Sequence, residues 1–304
     1  MRRVLKNIEW EDKFIKDGYI QIPFISPKEV AELKALFFDT LPESGGQITS
    51  QETGVEDSRF ISYDFTFIDR NPDYKRKVFK IITEYFEPHM NRILDDFRPI
   101  IANYIRKKAD TGEVPLHENW AFADEKKCTT VSIWCPLVDS TVENGTLQVV
   151  PGSQKRFGEY RGPMIPWELD GIKDEIIKNH LVPLETKAGD CVILDDSIVH
   201  YSAINKTPGL RLAIQLICVP SEEPSIHYHL DMQNNPNEIA VLKVSDEFYM
   251  EFNPWKKPDG VKVIGKVPFV NRRIDEQEFK ERLKAPGFDQ SKLGFFQKVK
   301  QVFS

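Results

Sequence analysis

Cysteine is scarce in this chain and never paired: Cys128, Cys135, Cys191 and Cys218 are the four in 304 residues, and no two stand in a C-x-x-C pattern. Three of them sit inside apolar, β-like runs, so they read as buried thiols in a reducing compartment. No apolar run approaches the roughly 18 to 20 residues that a membrane-spanning helix needs. Met1-Arg2-Arg3 is followed by Val4, Leu5 and then polar residues, not by the apolar core of a secretion signal. Long runs of like charge are missing too. The net charge of −6 is spread over both halves, which argues against nucleic acid or an anionic membrane surface as the main partner. Internal repeats and low-complexity tracts are also lacking. What remains is the expectation of a cytoplasmic protein acting on a neutral or small-molecule substrate, with no nucleic-acid and no membrane partner. The sequence leaves the oligomeric state open.

Three regions differ in pattern. Ser26-Pro27-Lys28-Glu29 ahead of Val30, Leu33, Leu36 and Phe37 is a capping box with proline at the first helical position, and it predicts a helix over about 27 to 38. Phe14 to Ile25, punctuated by Gly18, predicts a short helix running into a strand. Pro72 to about Phe97 carries Val78, Ile81, Ile82, Tyr85, Phe86, Met90, Ile93 and Leu94, which suits a long amphipathic helix broken near Pro88. From about 99 to 220 the pattern changes to short runs rich in valine, isoleucine, threonine and aromatic residues. Turn signals such as Glu143-Asn144-Gly145, Pro151-Gly152-Ser153 and Ala188-Gly189-Asp190 separate them. Strands are predicted at 99–107, 129–138, 146–150, 181–185, 191–194, 198–204 and 210–219. Many short strands without alternating long helices favour a mainly β fold with flanking helices, an antiparallel sandwich or jelly roll. A single domain is expected over 1–304: a helical front (1–98), a β core (about 99–220) and a mixed lid or tail (221–304), with 153–180 as an insertion.

Histidine is sparse as well, six in all, and two of the six stand in informative company. His117-Glu118-Asn119 lies in the middle of the chain, His200-Tyr201-Ser202 far downstream, and Arg211 eleven residues after the second histidine. In a strand, residues i and i+2 share a face, so His117 and Asn119 can converge while Glu118 points away. Arg211 sits in the apolar run Leu210 to Val219, where a buried guanidinium calls for an anionic partner. A lone His-x-Asn carries little; the joint spacing with His200, Ser202 and Arg211 carries the reading. Asp195 and Asp196 could supply a carboxylate or serve a turn. His89 and His180 read as surface or helix residues, and His227 and His229 as candidates for a substrate pocket.

These segments resemble the phytanoyl-CoA dioxygenase family of Fe(II)/2-oxoglutarate-dependent oxygenases, from about Phe14 through Pro220. The family's His-x-Asp metal motif is similar to His117-Glu118-Asn119 with asparagine for aspartate. Its distal histidine corresponds to His200, its 2-oxoglutarate-binding arginine to Arg211, a hydroxyl position to Ser202 and a tryptophan beside the cosubstrate to Trp134. Glu143-Asn144-Gly145-Thr146-Leu147 and Pro151-Gly152-Ser153-Gln154 are similar to the family's N-G-x-L and P-G-S-H turns. The resemblance implies a double-stranded β-helix core of the cupin-like, jelly-roll kind. It also implies Fe(II) on His117, Asn119 and His200, with 2-oxoglutarate held by Arg211, Ser202 and Trp134. Dioxygen would then drive hydroxylation of an unidentified small molecule, with succinate and CO2 as co-products. Asparagine is a neutral donor where the family has a carboxylate, and hard cations favour carboxylates. Two readings therefore stand side by side: an oxygenase with a His-x-Asn…His site, and a silent or inactivated relative that binds 2-oxoglutarate or substrate without turnover. A chloride-binding halogenase ranks below both, because asparagine still fills the ligand position.

Overall fold

The computed structural model describes residues 2–41, 64–254, 256 and 258–285. Residues 42–63 and the part of the expected tail beyond 285 lie outside the described residues. Helix α1, Ile8–Asp17, starts where the Asn7 side chain accepts from Trp10 N–H, and it ends at Gly18 in the left-handed conformation (φ 82°). Strand β1, Tyr19–Pro23, follows at once. Helix α2, Pro27–Thr40, carries the expected capping box, Ser26 and Glu29 each bonding the other's main chain. After the two-residue strand β2, Asp64–Phe65, helix α3 runs from Pro72 to Ile93 behind an Asn71 cap. The break expected at Pro88 does not occur, and the helix is continuous through it. Its buried stripe of Tyr74, Val78, Ile82, Phe86 and Met90 spans the proline on both sides, so packing on the sheet outweighs one missing helical hydrogen bond.

The β core begins with β3, Phe97–Lys107, and β4, Val114–His117. It continues with β5, Val131–Pro136, and β6, Gln148–Val149. Helix α4, Lys173–Asn179, precedes β7, Val182–Pro183, and β8, Asp190–Asp195. The last two core strands are β9, His200–Ser202, and β10, Arg211–Pro220. One six-stranded sheet has the order β1-β8-β5-β10-β3-β2, and a four-stranded sheet facing it has the order β4-β9-β6-β7. The fold is the mainly β, cupin-like jelly roll with flanking helices. The short helix running into a strand expected over Phe14 to Ile25 is the end of α1 followed by β1, and β1 and β2 hydrogen-bond to opposite sides of the large sheet and form its edges. Of the two, only β2, two residues long, left no strand signal in the sequence.

Every residue of β5 is buried, since both faces of the large sheet are covered. Ile133, Cys135, Cys191, Ile193, Leu212, Ile214 and Leu216 face the helices. Trp134, Val192, Leu194 and Ala213 face inward, against Leu147, Val149 and Leu184. All four cysteines are buried free thiols. The tail contributes a three-stranded sheet of β11, Ile226–Leu230, β12, Glu238–Lys243, and β13, Lys262–Pro268. Leu242, Val244, Tyr249 and Phe252 from this region join Ile101, Phe122 and Ile217 in one apolar cluster, so the tail packs onto one end of the core. No helix among the described residues is long and apolar enough to cross a membrane.

The seam between α3 and the sheet is the part of this packing most open to a direct measurement. Phe86 is fully buried and meets the Phe24 ring edge-to-face at 4.9 Å. Phe86→Ala removes that contact and leaves a cavity, so it is expected to cost about 3 to 5 kcal/mol of stability. Urea unfolding checks it, with a lower midpoint at unchanged slope as the expected result.

Candidate functional site

Strand pairing brings the two histidines together. β4 runs antiparallel to β9 with His117 directly opposite His200, and the ring centroids lie 4.1 Å apart. Each ring turns Nδ1 to a main-chain carbonyl two residues back in its own strand: His117 to Pro115 O at 2.7 Å, His200 to Ile198 O at 2.8 Å. A carbonyl only accepts, so Nδ1 carries the hydrogen in both rings and Nε2 keeps its lone pair. Burial pushes both imidazoles below their ordinary 6.5, and His117 lowers His200 further. His117 is partly exposed at the open side of the pair. Two neutral rings with bare Nε2 atoms are what a divalent transition metal needs from histidine.

Asn119 stands beyond the end of β4, so the strand alternation expected to place it is not what does so. Its Nδ2 donates to Asp196 Oδ1 at 2.9 Å and to Ser132 Oγ at 3.1 Å, and its main-chain oxygen accepts from Arg161 Nε at 2.6 Å. The amide oxygen is left on the side of His117, whose ring it contacts. Glu118 does point away. It is buried, accepts from Trp167 Nε1 at 2.6 Å, and burial raises its carboxyl well above the usual range. Among the described residues no three His, Cys, Asp or Glu side chains group closely enough to hold a metal. The Asn119 amide oxygen, beside the His117 ring, is an oxygen that could serve the histidine pair as a third donor. Two imidazole nitrogens and one oxygen fit a non-haem iron centre in number and type, with one negative charge fewer than a carboxylate would give.

The segment 153–180 is more than an insertion. Arg161, itself buried, grips the Asn119 main chain, pairs with Glu125 at 2.7 Å and donates to Gly158 O at 2.9 Å. Trp167 from the same segment caps Glu118. Sequence reasoning found no signal for this, since Arg161 lies over 40 positions from the motif it holds.

A second cluster lies at the start of β10. Arg211 pairs in register with Lys107 at the end of β3, and both are buried, at 2% and 0% exposure. The Trp134 ring lies 5.8 Å beneath the Arg211 guanidinium. Lys107 Nζ donates to Ala203 O at 2.7 Å, to Ser202 O at 3.1 Å and to the Ser202 hydroxyl. Burial first, and the Arg211 charge second, push the Lys107 ammonium down to about 6. The Arg211 guanidinium, always charged, with an amine beside it whose protonation an arriving anion would favour, makes a receptor for an anion. Ser202 donates its one hydroxyl hydrogen to Gly145 O at 2.7 Å, so it serves this cluster as an acceptor for Lys107. Gly145 has a φ of +75°, and a Cβ there would lie 2.1 Å from Ala203 O, which is why the Asn144-Gly145 turn admits no side chain. Lys107 escaped the sequence reading; the available signal was a cation closing the apolar run Ile100–Ile105, meaningful only once its register with Arg211 is known.

The other histidines sit elsewhere. His89 bonds Glu29 at 2.8 Å, and His180 packs on Phe279. His227 is buried with its Nε2 unbonded, among Trp120, Phe248, Tyr249 and Phe252, while His229 is partly exposed.

The fold is shared with solved non-haem enzymes. The alpha ketoglutarate dependent carbocyclase SnoK of nogalamycin biosynthesis superposes with a TM-score of 0.52 at 17% identity, over 84% of this chain and 94% of its own. The epimerase SnoN, solved with Fe3+, alpha ketoglutarate and nogalamycin RO, gives 0.51 at 18% identity over 85% and 93%. The architecture is thus the one these two enzymes share. More specifically, the chain belongs to the phytanoyl-CoA dioxygenase (PhyH) family, whose model matches residues 14–213. A phytanoyl-CoA dioxygenase domain-containing protein 1 homolog from Dictyostelium discoideum is 32% identical over 138 residues, 43% of this chain and 49% of the relative. Phytanoyl-CoA dioxygenase 1 from Oryza sativa subsp. japonica is 34% identical over 134 residues, 41% of this chain and 46% of the relative. The chain spans about half the length of these curated relatives.

Lys107 makes the anion cluster measurable without any ligand. Its folded-state value of about 6 lies below the ordinary 10.5, so between those limits the unfolded chain binds a proton that the folded chain does not. Stability therefore rises with pH across that window, by at most about 1.4 kcal/mol per unit for one group. Lys107→Met is expected to flatten this slope, read as the difference between native and variant urea unfolding free energies from pH 6 to 10.

Proposed function

We propose that this chain is an Fe(II)/2-oxoglutarate-dependent dioxygenase that oxidises a small molecule, most simply by hydroxylation. The observation that carries the reading is the pairing of two neutral, opposed imidazoles, each with Nε2 bare, with a buried Arg211–Lys107 pocket on the same roll. His117, His200 and the Asn119 amide oxygen would hold the metal. Arg211 and Lys107 would take the far carboxylate of 2-oxoglutarate through charge-assisted hydrogen bonds, beside Trp134, with Ser202 fixing the Lys107 ammonium. When bound, iron with 2-oxoglutarate and dioxygen supplies the oxidising power, releasing succinate and CO2.

The rest is the work of the chain's own side chains. Pro115 and Ile198 carbonyls keep both rings in one tautomer. Trp134 and the apolar interior keep water from the cation pair, which strengthens its hold on a carboxylate. Arg161 and Trp167 tie the loop that carries Asn119 to the segment 153–180, where a substrate-selecting surface is expected because loops on this fold carry specificity. A second reading, a silent relative that binds 2-oxoglutarate or substrate, is favoured by the neutral donor at 119.

Release of succinate from 2-oxoglutarate by the Fe(II)-loaded protein supports the enzyme. Tight 2-oxoglutarate binding with no succinate above the metal-free control supports the silent relative. Arg211→Ala is expected to weaken 2-oxoglutarate binding by about 2 to 5 kcal/mol, the usual cost of removing one partner of a buried charge pair. Calorimetric titration under nitrogen measures it, and an unchanged dissociation constant removes Arg211 from the site. His200→Ala is expected to lose bound iron, by plasma emission, while keeping its melting curve. Full iron occupancy in that variant sinks the metal reading.

A further inference from the structure

The amide at 119 is held by a carboxylate that takes no part in the reading above. Asp196 is fully buried in the turn after β8. Its Oδ1 accepts from Asn119 Nδ2 at 2.9 Å and from the Ser132 hydroxyl at 2.6 Å, and its main-chain N–H bonds Thr130 O at 3.1 Å. Ser132 Oγ, having given its hydrogen to Asp196, has only lone pairs left for Asn119 Nδ2 at 3.1 Å. Both neighbours therefore accept, and the amide must turn its NH2 end to them and its oxygen the other way, toward His117. The clamp is anchored across the large sheet: Gln215 Nε2 reaches Ser132 Oγ at 3.4 Å, and Asn103 Nδ2 reaches Gln215 Oε1 at 3.3 Å. Asp196 forms no ion pair among the described residues; burial raises its carboxyl to about 7, against the hydrogen bonds from Ser132 and Asn119 that hold it down, and the carboxyl group faces the amide.

We propose that Asp196 is a positioning residue that fixes the Asn119 amide with its oxygen toward His117 and His200, and that it sets, one layer behind the metal, the carboxyl group that an aspartate at 119 would set in contact with it. The proposal rests on His117, Asn119 and His200 being the metal donors. It gives asparagine at 119 a reason: an aspartate there would meet Asp196 oxygen to oxygen at hydrogen-bond distance, and the two carboxyl groups would have to share a proton, whereas the amide donates its own. The two positions form a unit in which one residue supplies the amide and the other the carboxylate. Exchanging the two should preserve the unit.

Cobalt(II) titration, followed by calorimetry and by the visible ligand-field band, tests this on the full chain with melting curves alongside. Asp196→Asn keeps an acceptor for Nδ2 but removes the carboxyl group and frees the amide to flip. Its Co(II) affinity is expected to fall by about 10- to 100-fold, the usual effect of losing a partner that orients a ligand. The exchange Asn119→Asp/Asp196→Asn is expected to regain at least most of that loss and to bind Co(II) more tightly than Asn119→Asp alone. An Asp196→Asn titration equal to native, or an exchange no tighter than Asn119→Asp, overturns the proposal. If Asp196→Asn melts too low to titrate, the second comparison decides alone. Co(II) uptake by the native chain that survives in His200→Ala, or no uptake at all, overturns the metal reading and this proposal together. Loss of uptake in His200→Ala with an unaffected Asp196→Asn overturns this proposal only.

Discussion

Both faces of the six-stranded sheet are buried, and from that constraint most of the site follows. Helices α1, α2 and α3 cover the outer face and the four-stranded sheet the inner one, so a polar side chain on an inner position has no bulk water to turn to and must find a partner across the roll. Ser132, Gln215 and Asn103 meet that demand in a row, and Asp196 and Asn119 continue it to the histidine pair. Lys107 meets it through Ser202 and two carbonyls. The donors are preorganised because their neighbours would otherwise be unsatisfied.

The charge pattern inside the roll is uneven, and the unevenness bears on chemistry. One region holds the Arg211 guanidinium beside the Lys107 amine; the other holds neutral imidazoles backed by the Asp196 carboxyl group. A dicarboxylate bridging a metal at one end and a cation pair at the other would neutralise both. The neutral amide at 119 looks like a defect only when the motif is read as three letters. With Asp196 behind it, the site keeps a carboxyl group at one remove.

Much of the architecture was legible beforehand. The α2 capping box, the run of short core strands and the jelly-roll class all follow from local chemistry: which side chains cap a helix end, and which periodicity an element buried on both sides displays. The misses share one cause. Pro88 lies within a continuous helix because the apolar stripe on both sides of it docks on the sheet; β2 is a strand because distant β3 accepts it as an edge; Lys107 stands beside Arg211 because β10 sets the two in register. Each depends on a partner far along the chain.

The sequence by itself determined the kinds of donor present, two histidines, an asparagine and an arginine at separations matching the family, because chemical identity and spacing are properties of the chain. Only the tertiary structure decided which nitrogen of each ring is bare, which end of the Asn119 amide faces the pair, and that a lysine and an aspartate join the site. Those are questions of which group sits within about 3 Å of which, and pairing of strands far apart in the chain answers them.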